Sequence, residues 1–527
     1  MKTGAFTLGT ILLCTLCACV PRPAAPVNAT QTDEPYRPQI HFSPPSKWMN
    51  DPNGLVYFKG EYHLFYQYFP GDIVWGPMHW GHAVSRDLVH WKHLPIALYP
   101  DSLGYIFSGS VVVDWQNSSG LGQDGEPPLI ALFTYHDMAA EKAGKHDFQN
   151  QGLAFSNDRG RTWVKYAGNP VLHNPGKYKD FRDPKVMWDQ LREQWVMTLA
   201  VKDHVEFWGS KDLKKWTLLS QFGQNHGAHG GVWECPDLFP IQVEGTSETR
   251  WVLLVSINPG GPNGGSATQY FVGEYDGKNF VPDPGFDADS SLWVDYGRDN
   301  YAGVTWSDIP QQDGRRLFIG WMSNWDYAQV VPTASWRSAM TLPRSLKLRK
   351  ATQRYRLYSQ PVQEIQALYG KKAVIGPLAI QDNYNITQTT GLGKGPALLD
   401  LEFAWQEGIQ PDFGLRLKNP NGEIYRIGFD AKQNQFYSDR RLAGPNTFSR
   451  AFGASVHFAP RIETGKTLHL KIVLDHASCE LFADEGATTM TEIFFPSGHF
   501  TEIELYSDKE PVQLVRGSIR SLNSIWR

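Results

Sequence analysis

The chain has little of what a membrane-spanning, nucleic-acid-binding or disulfide-built protein needs. Of five cysteines in 527 residues, only Cys235 and Cys479 lie beyond residue 19. They stand about 250 residues apart in different proposed domains, so no disulfide between them is expected. After the first twenty residues no apolar run is long enough to cross a bilayer, which takes about 20 residues as a helix. No basic tract occurs, and 50 Lys and Arg against 54 Asp and Glu leave a net charge of −4, which argues against nucleic acid as a partner. Convincing long helices are scarce. What is abundant is aromatic: 19 Trp and 22 Tyr within a 13% aromatic share. Most of these belong in cores and sheets. Many tryptophans in an all-β chain also suit sugar binding, because a sugar's C–H face packs on an indole while its hydroxyls take hydrogen bonds. An apolar content of 41% is ample for a large β domain and a second one.

The first 19 residues are a separate matter. Lys2 and the apolar stretch Ala5–Leu16 read as an export leader, too short to remain as a mature span. Leu16-Cys17-Ala18-Cys19 resembles a bacterial lipobox, with cleavage before Cys19 and lipid on its sulfur. That would anchor the protein to a membrane, facing periplasm or exterior. The other reading is cleavage near Ala18 or Ala25 and a freely secreted protein. Residues 20–35, rich in Pro, Ala and Thr, read as an extended tether.

From Tyr36 onward, short strand-like runs such as His63–Tyr68, Trp195–Leu199 and Trp251–Ile257 alternate with Gly, Pro, Asp and Asn. Many short strands mean a sandwich, barrel or propeller. A weak repeat discriminates among them. Ser85-Arg86-Asp87 precedes Trp91, Ser156-Asn157-Asp158 precedes Trp163, and Ser210-Lys211-Asp212 precedes Trp216, with a looser copy at Tyr275-Asp276-Gly277 and Phe280. The acid shapes a hairpin turn and the aromatic begins an outer strand. One copy per four-stranded blade gives a five-bladed β-propeller over 36–345. Residues 346–372, basic and with a short helix near Val362–Tyr369, read as a connector. From residue 373 to 527, period-2 runs such as Leu468–Ile472 and Leu399–Phe403 predict a C-terminal β-sandwich, so the fold class is all-β.

Ligands of a propeller bind where its inner strands converge. Three acids occur in comparable settings: Asp51 in WMNDPNG (48–54), Asp183 in FRDP (181–184) and Glu234 in WECPD (233–237). Proline follows each within two residues, forcing extended geometry before it and ending regular pairing, which is expected to hold the carboxylate at a strand end. Glycoside hydrolysis needs two carboxyl groups in opposite protonation states. The same acids could instead cap turns or be buried for structure. The histidines His79, His82, His90, His93, His226 and His229 invite a metal site, but His79 and His82, three apart on a strand, point to opposite faces. No metal and no cofactor are expected.

WMNDPNG, FRDPK and ECPDL, in this order, resemble the three signature blocks of family-32 glycoside hydrolases: invertases, inulinases and levanases. The resemblance covers nearly all of the mature chain. It includes His63–Gln67, Trp75-Gly76, Phe107-Ser108-Gly109-Ser110, Asp295–Ala302 and Ser478–Phe482. It implies that Asp51 attacks the anomeric carbon of a β-fructofuranosyl unit. Glu234 protonates the leaving oxygen and then deprotonates water, and Asp183 stabilises the transition state beside Arg182. This is a retaining scheme, in which the working carboxyls lie about 5–5.5 Å apart. Asp51 is then expected to keep a low pKa and Glu234 a raised one. Asn50, Gln67, Trp75, Phe107, Ser108 and Trp325 are the candidates to line the fructose subsite, with Trp321 as a substitute for Trp325. Endo-inulinases tend to replace the first Asp and the last acid of ECPD. Asp51 and Asp237 are both kept here, so terminal fructose release from levan or inulin, with sucrose as a further substrate, is the expectation. The alternatives are fructosyl transfer through the same intermediate and a non-catalytic fructan-binding lipoprotein. Oligomeric state is not set by the sequence.

Overall fold

The computed structural model describes Met1 and residues 34–284, 291–351 and 354–526. The leader, the Cys19 lipidation site and residues 20–33 of the tether lie outside the described residues.

The Ser-x-Asp repeat is a real structural unit. At each copy the Ser hydroxyl donates to the Asp carboxylate two residues on: Ser85 to Asp87 at 3.0 Å, Ser156 to Asp158 at 2.8 Å, Ser210 to Asp212 at 3.3 Å. The Trp indole N–H then reaches back to the carbonyl three residues earlier, at 3.1 Å in all three cases. That earlier residue sits at positive φ: Leu88 at 63°, Gly160 at 78° and Leu213 at 61°. The backbone thus reverses, and the indole clamps the turn. Each turn joins the third strand of a sheet to the next. The looser copy does the same work with Asp276, which accepts from the amides of Lys278 and Asn279 at 2.8 and 2.7 Å.

Five sheets of this kind follow in chain order. Their innermost strands are Lys47–Phe58, Tyr105–Val113, Phe181–Asp189, Val232–Gln242 and Tyr301–Thr305. Each touches the next and the fifth returns to the first, closing a five-bladed ring. The short strand Trp336–Arg337, parallel to the start of the first inner strand, fastens the closure.

The fifth blade runs further than the sequence reading placed it. Residues 344–351 and 354–361 are its outer antiparallel hairpin, although from 346 onward the sequence reads as a connector. Leu346, Leu348, Tyr355 and Leu357 face the core, while Lys347 and Arg349 face outward to Glu244. The basic character that suggested a linker is the solvated face of a strand. The expected helix is a short 3₁₀ helix, Gln363–Leu368. The remaining chain forms a sandwich of a seven- and a six-stranded sheet, closed over Leu399, Phe413, Phe429, Leu470 and Leu505.

Buried charges join the two domains. Arg344, at the start of the outer hairpin, bonds Asp295 of the propeller at 2.9 Å and Glu480 of the sandwich at 2.5 Å, all three at most 2% exposed. His41 lies between Asp475 and Glu480 at 2.8 Å from each. Burial alone would lower the imidazole's pKa, but the two carboxylates outweigh it and raise it to about 9. Arg440 of the sandwich holds Asp299 at 2.6 Å. Removing one member of such a network leaves uncompensated buried charge. Arg344→Met should therefore cost about 3–5 kcal/mol of stability, read as a lowered midpoint in denaturant unfolding.

Candidate active site

Every inner strand breaks register with its neighbour at the same level. Asn50 and Asp51 together oppose the single residue Gln67. Phe107 and Ser108 oppose Thr134, and Asp183 and Pro184 oppose Leu199. Cys235 and Pro236 oppose Val255, and Ala302 and Gly303 oppose Gly320. These are β-bulges, which bend a strand and re-aim its side chains. The prolines after Asp183 and Cys235 fit there because a bulge leaves a backbone position outside the ladder, whereas Pro52 follows its bulge and pairs with Tyr66. The expectation that proline places the acids at strand ends is corrected: the strands run on through it. Asp183 and Cys235 adopt φ of 65° and 45°, a conformation that costs free energy for residues with a Cβ and needs support from the surrounding structure.

That support is visible. The Asp183 amide donates to Thr134 Oγ1 at 3.0 Å, and Asp183 Oδ2 accepts from the Cys235 amide at 3.0 Å. Cys235 Sγ lies 3.7 Å from Asp51 Oδ2 and 3.7 Å from Asp183 Oδ2, so this thiol separates the two carboxylates. Asp51 Oδ2 accepts from Ser108 Oγ at 2.7 Å and Oδ1 from Asn50 Nδ2 at 3.1 Å; the Trp48 indole N–H fixes Asn50 by donating to its Oδ1 at 2.7 Å. Arg182 ties the acids together. Its Nε and Nη2 both donate to Glu234 Oε1, at 3.1 and 2.9 Å, Nη1 donates to Asp180 at 2.7 Å, and Nε lies 4.0 Å from Asp183 Oδ2. The second Glu234 oxygen, Oε2, meets the Tyr301 hydroxyl.

Asp51, Asp183 and Glu234 line one cavity of about 270 Å³, together with Asn50, Gln67, Trp75, Phe107, Ser108, Arg182 and Trp325. Trp321 is fully buried behind, packed on Trp48 and Trp325, so Trp325 is the indole that meets the cavity. The histidines weighed as ligands serve elsewhere: His82 stacks on Phe65 at 3.9 Å, His79 bonds the Pro77 carbonyl and His90 bonds Asp87. Cys235 and Cys479 are both buried, free thiols. Six cavity residues are not expected from the sequence: His136, Glu141, Phe148, Gln149, Lys179 and Asp180. Their stretches carry no short pattern. Tyr301 belonged to a recognised block, but only its contact with Glu234 gives it a role.

Burial dominates the electrostatics. It pushes Asp51 up to about 6, with the nearby Glu234 charge adding to the rise and the Ser108 and Asn50 donors opposing it. Asp183 rises to about 7 from burial and from the charges of Glu234 and Asp51, opposed by Arg182. The expected low pKa of Asp51 is therefore corrected: its donors do not offset the loss of water around it.

A closed propeller that brings paired carboxylates and a guanidinium to a cavity walled by indoles defines a glycoside hydrolase site. Comparison with known proteins agrees. Residues 41–361 match the N-terminal domain of glycosyl hydrolases family 32, and residues 364–521 its C-terminal domain. A levanase of Bacillus subtilis is 45% identical over 95% of this chain and 72% of that protein. An extracellular exo-inulinase of Aspergillus niger is 38% identical over 97% of this chain and 98% of its own. Among solved structures, the exo-inulinase of Aspergillus awamori superposes with a TM-score of 0.85 at 36% identity, covering 94% and 99% of the two chains. The fructofuranosidase of Schwanniomyces occidentalis complexed with fructose gives 0.83 at 33% identity, covering 94% and 99%. The chain belongs to glycosyl hydrolase family 32.

The raised Asp51 pKa carries a stability consequence. Between pH 3.8 and about 6 the folded chain keeps a proton that the unfolded chain has lost; above that range the fold must bear the charge. This group's contribution therefore declines as pH rises through that window. Asp51→Asn removes the penalty, and should be more stable than the parent at pH 7 by about 1–3 kcal/mol, with the gap closing below pH 4. Thermal melts across pH check this.

Proposed function

We propose that the protein is a retaining exo-β-fructosidase that releases terminal fructose from fructans such as levan and inulin, and from sucrose. The observation that carries this reading is the convergence of Asp51, Asp183 and Glu234 on one cavity around Arg182. Asp51 attacks the anomeric carbon of the terminal fructosyl unit while Glu234 gives its proton to the departing glycosidic oxygen. The carbon–oxygen bond breaks and a fructosyl ester on Asp51 forms. Glu234, now anionic, takes a proton from water, which attacks the same carbon and frees fructose and the Asp51 carboxylate. Arg182 holds Glu234 Oε1 with two N–H groups and the Tyr301 hydroxyl donates to Oε2, so the carboxyl that passes the proton is fixed at both oxygens. Asp183 transfers no proton. It accepts from fructose hydroxyls and faces the positive charge that develops on the sugar ring. Gln67 is buried with its Nε2 unpartnered, a donor left for a hydroxyl, and Trp75, Phe107 and Trp325 wall the ring.

Support for exo-action comes from the levanase and exo-inulinase relatives and from Asp51 and Asp237 in their blocks. Incubation with levan, inulin and sucrose should yield free fructose from the first time points; longer oligosaccharides from sucrose would instead mean transfer. Glu234→Gln should bind substrate but lose about 10²–10⁴-fold in kcat, and near-full activity would sink the assignment.

Export is part of the same reading, supported by the apolar leader and by relatives named extracellular. Lipid on Cys19 would hold the enzyme at a membrane surface, with residues 20–35 giving it reach. In the native host Cys19→Ala should move the protein from the membrane to the soluble exported fraction; an unchanged membrane fraction refutes the anchor.

A further inference from the structure

The inner strands carry the acids near one end of the propeller axis and reach a second cavity at the other. It measures about 370 Å³ and is bordered by the far ends of the same strands, at Val113, Met187, Phe239 and Thr305. Trp115 lines it too. It is 61% exposed, the one tryptophan among the described residues so open to solvent. A lone exposed indole needs no explanation by itself, but this one is fixed. Its N–H donates to Asp308 Oδ1 at 2.8 Å, and Asp308 Oδ2 is held by the Val113 amide at 3.1 Å. With its polar atom already used, the ring offers a rigid apolar face. Trp188 resembles it: half-buried, lining the same cavity, its N–H spent on Gln190 Oε1 at 3.1 Å.

The interior supplies polar atoms with spare capacity. Asp237 is buried, and its Oδ2 takes both the amide and hydroxyl of Thr305, at 2.7 and 2.8 Å, whereas its Oδ1 has no partner. Lys185 Nζ lies 3.5 Å from Asp237, which offsets the charge there. Arg316 sits over the Phe239 ring at 4.7 Å and reaches the Pro240 carbonyl at 3.3 Å, with further N–H groups for a ligand. Fixed indole faces, an amide side chain at Gln190, and donors and acceptors in mutual balance suit a neutral ring that bears hydroxyls, not an ion.

We propose that this cavity is a second carbohydrate-binding site, which holds a sugar unit of a fructan chain away from the bond being cut. The choice of sugar rests on the proposed activity. A contact there would keep the enzyme on a polymer between cleavages without touching the chemistry, so it should matter for long substrates and not for sucrose.

The test uses the full chain. The inactive Glu234→Gln protein should be retarded in native gels that contain levan or inulin, and adding Trp115→Ala should weaken that retardation about fivefold, the scale of one lost ring contact. In the active chain Trp115→Ala should raise KM for levan or inulin by about the same factor and leave sucrose hydrolysis unchanged. Gln190→Ala, on the surface, repeats the measurement should loss of the Asp308 bond lower the melting temperature of Trp115→Ala. Unchanged retardation and polymer KM in both variants overturn the proposal, and so does equal retardation by dextran, which contains no fructose. Failure of the parent enzyme to release fructose from any of the three substrates would overturn the activity reading instead, and the gel result would still decide the second site.

Discussion

Three crowded carboxylates with one half-buried guanidinium beside two of them is the arrangement on which the rest of the molecule depends. Left alone, Asp51, Asp183 and Glu234 would repel one another and resist losing water. Arg182 reaches Glu234 directly and lies 4.0 Å from Asp183, whereas Asp51 is held by the Ser108 hydroxyl and the Asn50 amide. The backbone supplies the remainder through the Cys235 amide on Asp183. Such a cluster can persist only in a frame that does not yield. A ring of five sheets provides it, because no single strand can retreat from the axis without disturbing its neighbours.

The sandwich belongs to that frame. Its strand Thr488–Ile493 lies against the segment that leads into the fifth inner strand. Asp295 accepts from the Thr491 amide at 2.8 Å, the Tyr296 amide donates to Thr489 at 2.9 Å, and Asp299 accepts from the Ile493 amide at 2.9 Å. Gly297 is needed because a Cβ there would lie 2.2 Å from the Thr491 carbonyl oxygen. The next residues are Asn300 and Tyr301, and Tyr301 meets Glu234. A domain with no side chain among the described residues lining the cavity thus fixes the approach to Tyr301, through bonds that are almost wholly buried.

Legibility from the sequence followed the range of the interaction. The blade turns were readable because Ser, Asp and Trp act within about ten residues of one another and recur. The acids were readable because each sits in a short block with proline. Bulges were not, since two residues opposing one is a property of a pair of strands, and the partner strand lies elsewhere in the chain. For the same reason the outer hairpin of blade five passed for a linker: its alternation of Leu346 and Leu348 with Lys347 and Arg349 is that of a half-exposed strand, but Glu244, which pairs the basic side chains, is about a hundred residues away. Tyr301 lies within the block Asp295–Ala302, and its contact with Glu234 appears only once the fold brings the two together.

Burial and mutual repulsion raise the pKa of both Asp51 and Asp183, so this site resists further negative charge. On the proposed mechanism the reacting sugar acquires positive charge at the anomeric carbon in the transition state, between those same two carboxylates. A field that penalises the ionised acids in the resting enzyme then becomes attractive toward the substrate, and most so at the point of bond breaking. Interactions that strengthen only there accelerate the step, whereas equal attraction for the neutral sugar would not. Cys235, small and uncharged and 3.7 Å from each of the two carboxylates, suits this role because it does not neutralise them.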